Sequence, residues 1–236
     1  MAHFVISPYI FQTRVQERVK FAFVSDLHDC ENQPILDAIK ENGADAILIG
    51  GDFIHNSTVY ARGIEFLKEA AKRLPTFCVL GNHELRFGRD LIPLIRNIPI
   101  TLLRDEDVTF KGVRIGGISS VTAYSDEQIL LNHKYLKDFS QKDGFKILLC
   151  HHPEYYEEHL RPYKIDLILS GHAHGGQWRF FGKGVYAPGQ GILPKYTSGL
   201  YEERLLVGRG LGNHHIVLRI NNKRELVFIT VEPFDK

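Results

Sequence analysis

The sequence predicts an α/β fold built from two sheets, and three observations support it. Five short apolar runs each end in a polar cluster, at 21–28, 46–52, 76–84, 146–153 and 166–174. Segments with helical spacing separate the first three runs, which is the alternation of a largely parallel sheet. After the third run, short strands joined by polar turns follow one another. We therefore predict two sheets packed face to face, with helices outside.

The first half of the chain alternates strands and helices. Residues 1–19 are predicted to form an edge strand or arm that leads into the first buried strand. Residues 32–43 are predicted to form a helix, because Pro34 suits its first turn and Gly43 its end. A second helix is predicted within 57–75, where apolar residues recur at helical spacing.

The second half is predicted from weaker patterns. Residues 89–97 are expected to form a short, proline-interrupted helix. Residues 98–120 are expected to form short antiparallel strands, and 125–141 a helix capped by its first residue. The chain should close with a hairpin of 214–220 and 225–232 that completes the second sheet.

Length and composition predict one globular domain over 1–236. The chain has 236 residues, 44% hydrophobic and 24% charged, which fits a single large α/β domain. The formal net charge of +1 gives no general attraction to nucleic acid or anionic membranes.

The cysteines and the hydropathy predict a cytoplasmic protein. Cys30, Cys78 and Cys150 are odd in number and form no CxxC pair, so no disulfide framework is implied and a reducing compartment is favoured. The N-terminal segment lacks the features of a signal peptide. No apolar run approaches the ~20 residues that a membrane span needs.

The polar clusters at the strand ends predict a metal site. Groups at the carboxyl ends of adjacent strands converge on one crevice in α/β sheets. Oxygen and imidazole donors without a thiolate suit two hard-to-borderline divalent metals. The residues concerned are Asp26, His28, Asp52, Asn82, His83, His151, His172 and His174.

The five clusters are specific only as a set. Alone, an Asp or His after a strand is more often a cap or turn former, so D-x-H, GGD and HHP carry little weight. GNHE and GHAH are stronger. All five in this order, each behind a strand, argue against coincidence.

In order and spacing, the motifs resemble those of the calcineurin-like metallophosphoesterase superfamily. GHAHGGQ, PKYTSGLY and GRGLG also resemble the YkuE-like bacterial phosphodiesterase branch. The resemblance implies a four-layer αββα sandwich of two mixed β-sheets flanked by helices. It also implies a dimetal-dependent hydrolase of phosphate esters.

The resemblance further implies a ligand set for two divalent transition-metal ions. Asp52 follows two glycines and is the natural bridging carboxylate. The set leaves manganese, iron, zinc, nickel and cobalt open. The first metal would be held by Asp26, His28, Asp52 and His174. The second would be held by Asp52, Asn82, His151 and His172, with His152 in the next shell or at the rim.

A hydroxide held by the two metals would attack phosphorus in line, and His83 is the predicted general acid for the leaving group. A structural hydrogen-bond donor is the alternative for His83. Many relatives have an Asp where this chain has His55. Either Glu84 or another carboxylate would then orient His83, or His55 would contact the substrate. The remaining alternative is that His55 faces solvent and has no role in the site.

The predicted substrate is a small phosphodiester or pyrophosphate. Monoester specialists usually place arginines beside the metals, and Arg86 is the only close candidate within the motif segments. A phosphomonoesterase is the alternative enzyme; a non-catalytic scaffold and a nuclease are further rivals, and the near-neutral charge argues against nucleic acid. Four aromatic residues either line an apolar or base-stacking rim or pack within their loops: Tyr124, Trp178, Phe180 and Phe181.

Overall fold

Two six-stranded sheets form the centre of the protein in the computed structural model, which describes residues 4–56, 58–87, 91–118, 120, 131–213 and 218–234. The strands, including those of two short hairpins, are β1 (Phe4–Thr13), β2 (Val19–Val24), β3 (Ala46–Ile49), β4 (Thr76–Cys78), β5 (Thr101–Leu102), β6 (Glu106–Phe110), β7 (Val113–Ile118), β8 (Phe145–Cys150), β9 (Leu167–Ser170), β10 (Arg179–Phe180), β11 (Lys183–Gly184), β12 (Tyr186–Ala187), β13 (Gly191–Ile192), β14 (Gly199–Tyr201), β15 (Leu205–Val207) and β16 (Arg224–Pro233). The helices are α1 (Gln33–Glu41), α2 (Ala61–Arg73), α3 (Asn82–Phe87), α4 (Ile92–Arg96) and α5 (His133–Ser140).

The first sheet has the order β1–β16–β2–β3–β4–β5. Strands β2 to β5 run parallel, with α1 and α2 in the first two crossovers. This is the alternation that the sequence predicted. Strand β1 lies at the edge and pairs in parallel with β16, so the edge strand predicted within 1–19 is confirmed.

The closing hairpin predicted for 214–220 and 225–232 is wrong. Strand β16 lies in the first sheet, between β1 and β2, and not in the second. Residues 214–217 lie outside the described part, and Ile220 forms an isolated bridge with Trp178. Most of β16 is buried, which suits a strand with a partner on each edge and a packed layer on each face.

The second sheet has the order β14–β15–β9–β8–β7–β6, with antiparallel strands at both edges. The antiparallel pairing predicted for 98–120 holds for β6 and β7 only, because β5 joins the first sheet. Helix α5 begins at His133, and the Asn132 side chain caps it by accepting from the Tyr135 amide. The cap predicted at Ser125 lies outside the described residues.

Helices cover the outer face of each sheet, so the four-layer αββα sandwich is confirmed. In β2, Phe21 and Phe23 pack between the sheets, whereas Ala22 and Val24 face the layer of α1, α2 and α4. This is the period-two alternation of a strand buried on both faces. A third apolar cluster joins the second sheet to α5 and to a π-helical turn, Tyr156–Leu160. No helix among the described residues has both the length and the apolar character that crossing a bilayer requires.

The carboxyl ends of parallel strands from both sheets meet at one edge of the sandwich. His151 Nδ1, after β8, donates to the Gly50 carbonyl after β3 at 2.7 Å. The His172 amide, after β9, donates to Asp26 Oδ1 after β2 at 2.9 Å. These two hydrogen bonds join the sheets where the polar clusters lie.

Candidate metal centre

The structure brings six of the seven predicted ligands into two compact groups. In each group, potential ligand atoms of three side chains lie within 4.8 Å of one another. All six residues are buried. The groups are Asp26, His28 and His174, and Asp52, His151 and His172.

Asp52 lies between the two groups. Its Oδ2 is 3.2 Å from His151 Nε2 and 3.9 Å from His28 Nε2. On the other side, His28 Nε2 lies 3.2 Å from His174 Nε2. The Asp52 carboxylate therefore connects donors that follow strands of the first sheet with donors that follow strands of the second sheet.

The backbone of this cluster is strained. A non-glycine residue rarely adopts a positive φ, and such residues concentrate at functional sites. Five candidate ligands have φ between 43° and 63°: Asp26, His28, Asp52, His172 and His174. Backbone hydrogen bonds hold these turns, for example from the His28 amide to the Asp52 carbonyl.

Two motif glycines leave room for the carboxylates. A Cβ at Gly81 would overlap Asp52 Oδ1, and a Cβ at Gly171 would overlap Asp26 Oδ2. The first residues of GNHE and GHAH are therefore glycines for a steric reason.

Glu84 holds the loop that carries Asp52. Its buried carboxylate accepts from the amides of Gly81 at 2.8 Å, Asp52 at 2.9 Å and Ile54 at 3.0 Å. Burial and the neighbouring Asp52 raise the pKa of Glu84 to about 8. Since its oxygens bind backbone amides, the interpretation of Glu84 as the group that orients His83 is wrong.

His83 is oriented by the backbone at His55. Its Nδ1 donates to the His55 carbonyl, and its Nε2 lies 3.9 Å from Asp52 Oδ2. A carbonyl only accepts, so Nδ1 carries a proton and Nε2 faces the cluster. The His55 ring lies with His28 and His83 in a further group of potential ligands.

Two buried acceptors in the cluster indicate that a cation fits. Asn82 Oδ1 and Asp26 Oδ2 have no hydrogen-bond partner among the described residues. A buried unpaired polar group costs about 1–3 kcal/mol, and coordination would offset that cost. Carboxylate, amide and imidazole donors are ligands of divalent transition metals.

Charges within the cluster are coupled through Asp52. Burial alone would raise the pKa of Asp52, but His151, with His83 and His28, holds it well below its ordinary value. Burial opposes charge on His151 as well, yet Asp52 raises the pKa of that imidazole to about 10. Burial and the Asp52 charge raise the pKa of Asp26. Burial lowers the pKa of His172 and His174 well below the ordinary value.

His152 lies behind the cluster. It is buried, its Nδ1 is 2.9 Å from Glu154 Oε1, and its ring centroid is 4.1 Å from that of His172. Burial and the neighbouring His151 lower its pKa to about 3. The contact with His172 agrees with the prediction that His152 lies just outside the ligand set. Because His152 is buried, it does not lie at the rim of the site.

Arg219 and Asn222 contact the cluster without belonging to any motif. Arg219 Nη2 lies 3.3 Å from His174 Nδ1 and donates to the Gly212 carbonyl. Asn222 Nδ2 donates to the His174 carbonyl at 2.7 Å. Both come from a segment 45 to 48 residues downstream, where no local pattern indicated them. Arg219 lies outside the motif segments, within which Arg86 is the only close arginine, so sequence reasoning missed this arginine beside the cluster.

Comparison with known proteins places these residues among phosphoesterases. The model of the calcineurin-like phosphoesterase family matches residues 19–176. YpbG of Bacillus subtilis is 28% identical over 89% of this chain and 79% of YpbG. YkuE of the same organism, named a metallophosphoesterase, is 29% identical over 89% of this chain and 76% of YkuE. YaeI of Escherichia coli, named a phosphodiesterase, is 28% identical over 89% of this chain and 81% of YaeI.

Proposed function

The chain belongs to the calcineurin-like phosphoesterase family, and on that basis we propose that it hydrolyses phosphate esters with two bound divalent metal ions. The resemblance of its motifs to this superfamily, and to YkuE, is confirmed. The observation that carries the proposal is the pair of donor groups connected at Asp52.

The proposed ligands follow the two groups. Asp52 is shared, since its Oδ2 faces histidines of both. Asn82 is assigned for two reasons. Its buried Oδ1 has no hydrogen-bond partner among the described residues, and the residue before it, Gly81, packs on Asp52. One ion would be held by Asp26, His28, Asp52 and His174, the other by Asp52, Asn82, His151 and His172.

When bound, such ions activate water and offset negative charge on phosphoryl oxygens. The chain itself supplies the proton for the departing alkoxide. His83 is proposed as the general acid, because its Nε2 faces the cluster and its Nδ1 is held by the His55 carbonyl. Its side chain is 15% exposed, against 0–3% for His28, His151 and His174, so it is the most open of these imidazoles to a substrate.

A phosphodiester is the proposed substrate class. The name of YaeI supports this choice, and a diester carries one negative charge where a monoester carries up to two. Arg219 is the observation that favours the second candidate, a phosphomonoesterase. Its guanidinium lies beside His174 and would attract a dianion.

Metal content and activity test the proposal together. We expect two metal ions per chain by elemental analysis, and loss of activity after chelation that returns with metal. Asp52→Asn should lose metal and activity together, because it weakens both groups. Asp138→Asn, at an exposed ion pair on α5, is the matched control and should retain both. Full activity of the metal-stripped protein would overturn the proposal.

A further inference from the structure

Exposed apolar side chains concentrate in one region next to the metal-ligand candidates. Eight of the fourteen exposed large hydrophobic residues among the described residues come from two segments, 178–193 and 218–220. Each of the eight has an exposed fraction of 42% or more. They form what we call the apolar platform: Trp178, Phe180, Phe181, Tyr186, Ile192, Leu193, Leu218 and Ile220.

Backbone hydrogen bonds make the platform one structure. The Arg179 amide donates to the Ile220 carbonyl at 2.9 Å, and Trp178 Nε1 donates to the Leu218 carbonyl at 3.0 Å. The Val185 amide donates to the Trp178 carbonyl, and the Leu193 amide to the Val185 carbonyl. The exposed side chains thus lie on short strands, an isolated bridge and the turns beside them, which these hydrogen bonds join.

Alternation along these strands turns the aromatic rings outward. The Arg179 guanidinium points inward, where it donates to the Gly175 carbonyl and to Thr197 Oγ1. Its neighbours Trp178 and Phe180 therefore lie on the opposite, outer face. Phe181, in the turn that follows, is fully exposed.

The platform is tied to the segment that carries His172 and His174. Asn222 Nδ2 donates to the carbonyls of both His174 and Gln177. Arg219, between Leu218 and Ile220, reaches the His174 ring. The platform therefore extends from the wall of the candidate metal centre.

Charge in this region is one-sided although the chain is almost neutral. Segments 175–201 and 205–224 contain seven basic residues and no acidic residue, in a chain of net charge +1. Lys183 and Lys223 are exposed. Lys195 and Arg209 pair with Glu157 and Glu225 from outside these segments. Lys183 and Lys223 are therefore the exposed lysines of the region that form no ion pair among the described residues.

From these observations we infer that the apolar platform docks on an anionic lipid bilayer. Aromatic and aliphatic side chains with flanking cations suit the membrane interface, where apolar groups leave water and cations meet acidic headgroups. A second copy of the chain fits less well, because its platform would bring the same positive charge. The inference does not depend on the proposed hydrolytic activity.

Vesicle flotation of the full chain tests the inference. We expect the protein to float with phosphatidylcholine vesicles that contain phosphatidylglycerol, and to float weakly with phosphatidylcholine alone. Added salt should weaken binding, because it screens the cationic contribution. Trp178 is the only tryptophan, so its emission should shift to the blue when the platform enters the interface.

Paired variants distinguish vesicle binding through the platform from nonspecific adsorption of the protein. Phe180→Ser with Phe181→Ser should lower partitioning at least about tenfold, equivalent to about 1.4 kcal/mol. Ile6→Ser with Ile10→Ser, two exposed positions on β1, is the matched control and should bind as the unaltered protein does. Lys183→Glu should weaken binding to anionic vesicles, whereas Lys68→Glu, exposed on α2, should not.

Three outcomes would overturn the inference. The first is no flotation of the unaltered protein with anionic vesicles. The second is equal loss in both serine pairs, with folding verified by circular dichroism. The third is a dimer, seen by sedimentation, that the Phe180 and Phe181 substitutions dissociate while vesicles bind nothing.

Discussion

At the scale of single residues, His83 offers a test of chemistry that is separate from metal binding. Its Nδ1 hydrogen bond ends on a backbone carbonyl, and its Nε2 faces Asp52. His83→Gln should keep both metals but lose roughly 10²–10⁴-fold in rate on esters with poor leaving groups. The loss should shrink for p-nitrophenol esters, whose leaving group hardly needs a proton.

His55→Gln is the control for that experiment. The hydrogen bond to His83 comes from the His55 backbone, so a change of side chain should cost much less than the loss of His83. Equal losses for His83→Gln on activated and unactivated esters would assign His83 a positioning role instead.

His152 predicts a pH dependence of stability in the metal-free protein. Burial lowers its folded-state pKa from the ordinary 6.5 to about 3. Below pH 6.5 the unfolded chain therefore takes up a proton that the folded chain refuses, so stability falls as the pH falls towards 3. His152→Gln removes this contribution. Between about pH 8 and about pH 4.5, the variant should lose about 2–3 kcal/mol less unfolding free energy than the unaltered protein does.

Urea unfolding of chelated protein at the two pH values measures the effect. His133→Gln, at an exposed position on α5, is the matched control and should follow the unaltered protein. Identical acid losses in the His152 variant and the unaltered protein would contradict the prediction.

At the scale of elements, Glu84 connects α3 to the loop after β3. Its oxygens accept three backbone amides. An amide side chain would replace one acceptor by a donor that faces a backbone N–H, so Glu84→Gln should cost about 1–3 kcal/mol of unfolding free energy. Burial and Asp52 raise the Glu84 pKa to about 8, so the ionised carboxylate itself destabilises the fold. The comparison therefore belongs at about pH 4, where the folded and unfolded chains both keep Glu84 largely protonated.

The same substitution should weaken metal binding, because Asp52 lies in the loop that Glu84 holds. Glu65→Gln, exposed on α2, is the control for stability and for metal content. A Glu84 variant as stable as that control would show that the three hydrogen bonds contribute little.

At the scale of the whole molecule, substrate preference depends on how both sheets and the downstream loops surround the cluster. We predict higher kcat/KM for bis(p-nitrophenyl) phosphate than for p-nitrophenyl phosphate with the same metal. The reverse order by tenfold, or about 1.4 kcal/mol, would favour the phosphomonoesterase. Arg219→Gln distinguishes the two further, because loss of a guanidinium beside His174 should harm a dianionic monoester more than a diester.

Much of the site could be predicted from the sequence because its ligands follow strands that are themselves easy to recognise. An apolar run marks a buried strand, and the residue after it lies at the sheet edge by geometry. Asp26, Asp52 and His172 are predicted in this way. The structure places Asp26 in one donor group and the other two in the second, and the His172 amide donates to Asp26 Oδ1. The assignment of each ligand to a metal and the role of His83 stay predictions.

Some residues that support the site could not be predicted, because their contacts join segments that are distant in the sequence. Glu84 was visible in GNHE, but its bonds to the Asp52 loop required the fold. Arg219 and Asn222 reach His174 from a segment without a motif. Trp178, Phe180 and Phe181 stand out in the sequence and Tyr186 does not, and the exposure of all four depends on how short strands and turns pair.

The sequence by itself determined the buried strands, the αββα layers and the residues that gather at their ends, because periodicity and motif order are local properties of the chain. Only the tertiary structure decided where β16 inserts and which sheet receives β5. A strand with apolar residues on both faces can pair with any partner that completes its hydrogen bonds and its packing. Which partner a strand takes depends on competition among distant segments, and the pattern of one segment does not predict the result.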